Sequence, residues 1–158
     1  MNGLEKQIKE YAGLVVKSGI NIQKGQRLLI TCPVECADFA RLCAEAAYDA
    51  GCSEVVMRWT DDSMKRMKYL RAADEVFDRV NSWEADCLDI LSEEGAGFLS
   101  IVSSDPESLK GVDPDRIKRA QISSGKALKA YRSRITRSEC PWCVCSVPSK
   151  AWAKAVFP

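Results

Sequence analysis

Residues 27–59 read RLLITCPVECADFARLCAEAAYDAGCSEVVMRW, and the reading of this stretch decides the fold. Arg27-Leu-Leu-Ile-Thr31 is a short apolar run of the kind that forms a buried strand. From about 35 to 50, Phe39, Leu42, Cys43, Ala46 and Ala47 recur at helical spacing, and Gly51 supplies the stop. A second strand follows over 53–59, with Val55, Val56 and Met57 at its heart. Strand, helix and strand in this succession form a βαβ unit, which sets the two strands parallel with the helix across one face.

The alternation continues on both sides. Ahead of it, Leu4, Ile8, Tyr11, Ala12 and Val15 predict a helix over 3–18 closed by Gly19, and Lys24-Gly25 marks a turn. Beyond it, Thr60 and Asp61 cap a charged helix, DDSMKRMKYLRAAD, with Met64, Met67 and Leu70 facing inward. A helix over 83–94 uses Trp83, Cys87, Ile90 and Leu91, and Gly95-Ala-Gly97 leads into a third strand at 98–102. Asp105-Pro106 and Asp113-Pro114 each join an N-cap residue to proline. The second pair opens a helix reaching about 137, with Ile117, Ala120, Ala127, Leu128, Tyr131 and Ile135 inside. The fourth strand is 142–147, and Ser149 caps a last helix that the sequence interrupts. The expectation over 1–158 is one α/β domain, a three-layer, Rossmann-like, mostly parallel sheet of about four strands covered by helices.

Composition narrows the function. Lys and Arg total 23 against 22 Asp and Glu, a net charge of +1 that offers no electrostatic footprint for nucleic acid or an anionic membrane. No long uncharged apolar run predicts a membrane span, and the charged start MNGLEKQIKEY has no signal-peptide core. A cytoplasmic protein is expected. Its eight cysteines then read as free thiols in a reducing compartment, with Cys43 and Cys87 on the apolar faces of helices. The absence of histidine excludes a His-dependent triad and any His-based zinc site.

A parallel sheet invites a nucleotide, yet Thr-Cys-Pro-Val-Glu after the first strand has no glycine, and no G-x-G-x-x-G or P-loop pattern occurs. Cys140-Pro-Trp-Cys143 has the spacing of a dithiol redox pair, and with Cys145 and a distant cysteine it would make a zinc set. Against both, the pair leads into the extended run Val144-Cys145-Ser-Val147 rather than a helix that would stabilise a thiolate, and Cys143 and Cys145 share one strand face. Acidic residues gather where loops leave the carboxyl ends of the strands: Glu35, Asp61 with Asp62, and Asp105. Their field would attract a cationic ligand such as a peptide's free amino terminus. The plainer reading makes them caps and turn residues, with Trp59 a core or interface side chain.

Taken in order, Leu-Leu-Ile-Thr-x-Pro-Val-Glu (28–35), Glu-Val-Val-Met-Arg-Trp-x-Asp-Asp (54–62), Leu-Ser-Ile (99–101) with Ser104-Asp105-Pro106, Leu109-Lys-Gly-Val-Asp-Pro-Asp-Arg116, Trp142-Cys-Val, Val147-Pro and Ala151-Trp-Ala-Lys form a specific set. It resembles the amino-terminal domain of the thermophilic-type metalloaminopeptidases, the aminopeptidase T and aminopeptidase S family. The resemblance implies exopeptidase activity on peptides through a pair of divalent metal ions. It also implies a homodimer when full length, and Glu, His and Asp ligands in a carboxyl-terminal catalytic domain absent here. No catalytic residue and no metal ligand carries over, so the chain alone is expected to be inactive and to wall the substrate cleft with Glu35, Trp59, Asp61, Asp62 and Asp105. Cys140-Pro141, Cys145 and Lys150 depart from the family's usual pattern. The alternatives are a stand-alone binding module and a Cys140–Cys143 redox or zinc protein.

Overall fold

The sheet grows outward from β1 (Arg27–Pro33), where Leu28, Leu29 and Ile30 are buried in succession, as expected of a strand covered on both faces. A computed structural model describes residues 3–103, 105–148 and Ala153. β2 (Glu54–Thr60) pairs with one edge of β1, with Leu28 opposite Val55 and Pro33 opposite Thr60. β3 (Gly97–Val102) pairs with the other edge, and β4 (Trp142–Ser146) follows it. The order β2-β1-β3-β4 is parallel throughout, so β1 and β3 form the point at which the winding reverses.

Side chains alternate between two apolar layers. On one face Leu28, Ile30, Cys32, Leu99, Ile101 and Cys145 meet Val15, Val16 and Ile20 and the inner side of α2 (Ala37–Asp49), which buries Phe39, Ala40, Cys43 and Ala47. On the other, Leu29 and Phe98 meet Leu88 and Leu91 of α4 (Ser82–Glu93) and, half-buried, Leu128, Tyr131 and Ile135. Three layers result.

Several expectations change. The first helix is α1 (Gly3–Leu14) running into a π-helical turn, Val15–Ile20. Its end is set by Asn21, in the left-handed region at φ 54°, whose N–H bonds to the Val16 carbonyl. Gly19 is small for another reason: a Cβ there would lie 2.9 Å from the Cys143 Sγ of β4. Leu4 is exposed, because this stripe reaches the core only from Ala12 onward. Glu35 stands in a 3-10 turn, Val34–Cys36, rather than in the helix.

α3 (Asp62–Arg71) buries no residue; Met64, Met67 and Leu70 are 60%, 49% and 51% exposed, the reverse of the expected inward face. It is held instead through Tyr69, stacked on Phe77 at 5.0 Å, and through Arg66. In α4 the inner face is Leu88, Leu91 and Ser92, while Trp83, Cys87 and Ile90 are exposed. The helix is rotated by one residue from its expected stripe, because Leu29 and Phe98 receive Leu88 and Leu91. The long helix expected to about 137 is two, α5 (Pro114–Ala127) and α6 (Lys129–Thr136), with Leu128 at φ −97°, ψ 21° between them. Asp113 caps α5 through the Asp115 N–H, whereas Asp105 opens a turn by accepting from Glu107. The helix expected from Ser149, and Lys150 with it, lie outside the described residues except for Ala153, which is helical.

Candidate functional site

Parallel strands deliver their exit loops to one end, and the pairing of Pro33 with Thr60 puts Glu35 and Asp61 just past neighbouring strand ends. Asp61 is the N-cap of α3, accepting the Met64 N–H at 2.9 Å. Asp62 Oδ2 accepts the Asp105 N–H at 3.0 Å, which joins the start of α3 to the loop after β3. Asp105 Oδ1 accepts the Glu107 N–H at 2.9 Å. Thus Asp61, Asp62 and Asp105 each hold a backbone donor, and the structure brings Asp62 and Asp105 together. Glu35 is exposed on its 3-10 turn. Trp59, opposite Cys32 in the pairing, stands on the α2 side of β2 and is 44% exposed.

Arg66 escaped the sequence reading. Its guanidinium donates to the Ser108 and Lys110 carbonyls at 2.9 and 2.7 Å, pinning the loop after β3 onto α3. No sequence signal would have found it, since its partners are backbone atoms 42 and 44 positions away.

The thiols are distributed by the sheet. Cys140 belongs to the α4 layer, its Sγ donating to the Ser92 carbonyl at 3.1 Å, while Cys143 packs into the α2 layer with Cys145. The two ends of the Cys-x-x-Cys motif therefore lie in opposite layers. Burial pushes both thiols up, as it does Cys145, to about 11, and Cys32 and Cys43, to about 12. Neighbouring thiols add to the rise at Cys32, Cys43 and Cys145. Neutral thiols of this kind pack as small apolar groups.

The thermophilic metalloprotease (M29) family matches residues 4–158. The chain belongs to the M29 family. It is 39% identical over its whole length to Aminopeptidase AmpS of Bacillus subtilis, and 41% identical over 99% of its length to Aminopeptidase 2 of Geobacillus stearothermophilus. It superposes on the solved structure of wild-type AmpT from Thermus thermophilus with a TM-score of 0.92 and 32% identity, over 99% of this chain. The chain spans 38% of the length of the two curated relatives and 39% of the AmpT chain, and the matched region is their amino-terminal part.

The family is one of metalloproteases, which implies metal dependence in its full-length members. There is no histidine in the chain, and among the described residues no group of three or more Cys, Asp or Glu side chains is placed to hold a metal ion. Asp61, Asp62 and Asp105 at the strand ends already hold backbone donors. These residues do not fit a metal centre, and no step through a metal is assigned to them. Among the described residues no helix is long and apolar enough to cross a membrane.

Proposed function

We propose that this chain is the amino-terminal α/β domain, residues 1–158, of a metal-dependent aminopeptidase that removes amino-terminal residues from peptides. The observation that carries this reading is the end-to-end match, at 39–41% identity, to proteins named as aminopeptidases. The divalent metal pair and its ligands belong to the part of the relatives' length that this chain does not span. The chain alone is inactive, and the full-length protein is a cytoplasmic homodimer. Glu35, Trp59, Asp61, Asp62 and Asp105 line the wall of the substrate cleft, with the carboxylates drawing the cationic amino terminus of a peptide. Their convergence at the carboxyl ends of β1, β2 and β3 supports that role.

The test is hydrolysis of an aminoacyl p-nitroanilide with added divalent metal, by this chain and by the full-length protein. Turnover is expected only from the latter; efficient cleavage by the 158-residue chain would put the chemistry here after all. In the full-length protein, Asp61→Asn with Asp62→Asn keeps both hydrogen-bond acceptors and removes both charges. The expected result is a KM raised about tenfold with kcat nearly unchanged, the pattern of lost ground-state binding. An unchanged KM removes Asp61 and Asp62 from the cleft while leaving the aminopeptidase reading intact.

A further inference from the structure

A cavity of about 580 Å3 opens beside the carboxyl-terminal half of β2, on the sheet face opposite α2. Its charged lining is Arg58 from β2, Lys65 and Lys68 from α3, Arg79 from the loop before α4, and a single carboxylate, Glu84. Among the described residues none of the four cations makes an ion pair. Two acids of the adjoining turn are engaged elsewhere. Asp74 and Asp78 of the 3-10 turn Asp74–Asp78 are held by α5, where Arg119 binds Asp78 at 2.8 and 2.6 Å and Arg116 binds Asp74 at 2.7 Å. The same clamp preforms the cavity wall. Ser123 donates to the Phe77 carbonyl at 2.9 Å, Arg116 donates to the Tyr69 carbonyl at 2.7 Å, and the buried Phe77 ring lies stacked on Tyr69.

Four unpaired cations from three separate segments, set around an apolar wall of Phe77, Leu88 and Leu128, make a concentrated positive field in a chain whose net charge is only +1. Burial raises the Tyr131 phenol, and the Arg58 guanidinium opposes the rise. We infer that this cavity is an anion site for a phosphorylated small molecule carrying at least two phosphate groups. Arginine offers forked donors that match phosphate oxygens, and the lysines supply point charges beside them. The volume lies in the range of small-molecule sites, and Phe77 with Tyr69 gives an apolar body a surface to rest on. This site stands apart from the carboxylates at the strand ends and does not depend on the aminopeptidase reading.

The experiment is calorimetric titration of this chain at low ionic strength with inorganic pyrophosphate, ADP and hexaglutamate. Saturable binding of pyrophosphate or ADP at one site is expected, and the tighter of the two identifies an inorganic or an organic source. Arg58→Gln with Lys68→Gln, at exposed positions outside any ion pair, should weaken that binding by at least about tenfold while leaving the far-ultraviolet circular dichroism and melting temperature unchanged. Lys126→Gln with Lys129→Gln, on the far side of α5 and α6, should leave it unchanged. Absence of pyrophosphate and ADP binding, or an equal loss in both double variants, overturns the site. Tighter binding of hexaglutamate than of either phosphate also overturns it, in favour of a surface for an acidic protein segment.

Discussion

Gly19 shows how one missing side chain places an element. A Cβ at 19 would sit 2.9 Å from Cys143 Sγ, closer than real contacts allow, so the π-helical turn reaches β4 only because this residue is glycine. Two effects of Gly19→Ala oppose each other. Overpacking costs about 1–3 kcal/mol. Alanine in a helical backbone returns about 0.5–1 kcal/mol. We expect a net loss of about 1 kcal/mol by urea unfolding, because Cys143 is half-buried and can give a little. In a Cys143→Ala background the contact is gone, and the same substitution should become neutral or stabilising by about 0.5 kcal/mol. An equal cost in both backgrounds would show that the sulfur contact is not what excludes a side chain at 19. The sequence suggested a helix terminator at 19, yet Asn21 ends the turn, and the true reason for the glycine was hidden because Cys143 is remote in sequence and only the fold brings it near.

At the scale of elements, helices were legible and their faces often were not. α4 carries apolar residues at 83, 85, 87, 88, 90 and 91, so a helical period fits two stripes rotated against each other by one residue. The choice is made by Leu29 and Phe98 across the sheet, which a local window does not contain. Leu91→Ala should therefore cost about 2–5 kcal/mol, whereas Ile90→Ala should stay within about 0.5 kcal/mol. Both are read from urea midpoints, and similar losses at 90 and 91 would contradict the observed rotation. α3 fails for a related reason: its methionines matched a helical stripe, yet the helix is secured by the Tyr69–Phe77 stack and by Arg66 on backbone carbonyls. The break at Leu128 follows Gly125 by three residues, a weak helix former that a continuous apolar stripe through 117–135 overrode in the sequence reading. It lets Ser123 of α5 hold Phe77 while Leu128, Tyr131 and Ile135 turn onto the second apolar layer.

For the whole molecule, parallel α/β layering was legible because 27–59 is a βαβ unit, while strand order was not, since it rests on pairings such as Leu29 with Phe98. The convergence of Asp62 and Asp105 followed from parallel topology alone, but their backbone partners did not. The same layering separates Cys140 from Cys143 and gathers Cys32, Cys36, Cys43 and Cys145 in the α2 layer, with a consequence for stability against pH. Burial, reinforced by neighbouring thiols, raises Cys32 and Cys43 from 9.0 to about 12 and Cys145 to about 11. Well below pH 9 these thiols are protonated in folded and unfolded chains alike, so they leave stability insensitive to pH. Above it the unfolded chain releases its protons first, binds fewer than the folded one, and stability falls as pH rises toward the folded values of about 11 and 12. Tyr69 and Tyr131, raised from 10.0 by burial, add to the same decline at higher pH. Urea midpoints should thus hold steady from about pH 7 to 8.5 and drop by about pH 10.5. Replacing Cys32 and Cys43 with alanine lowers the midpoint at neutral pH by removing packed sulfur, yet it should flatten the alkaline decline. A decline as steep in that variant as in the parent would assign the alkaline sensitivity to other groups and remove the buried thiols as its cause.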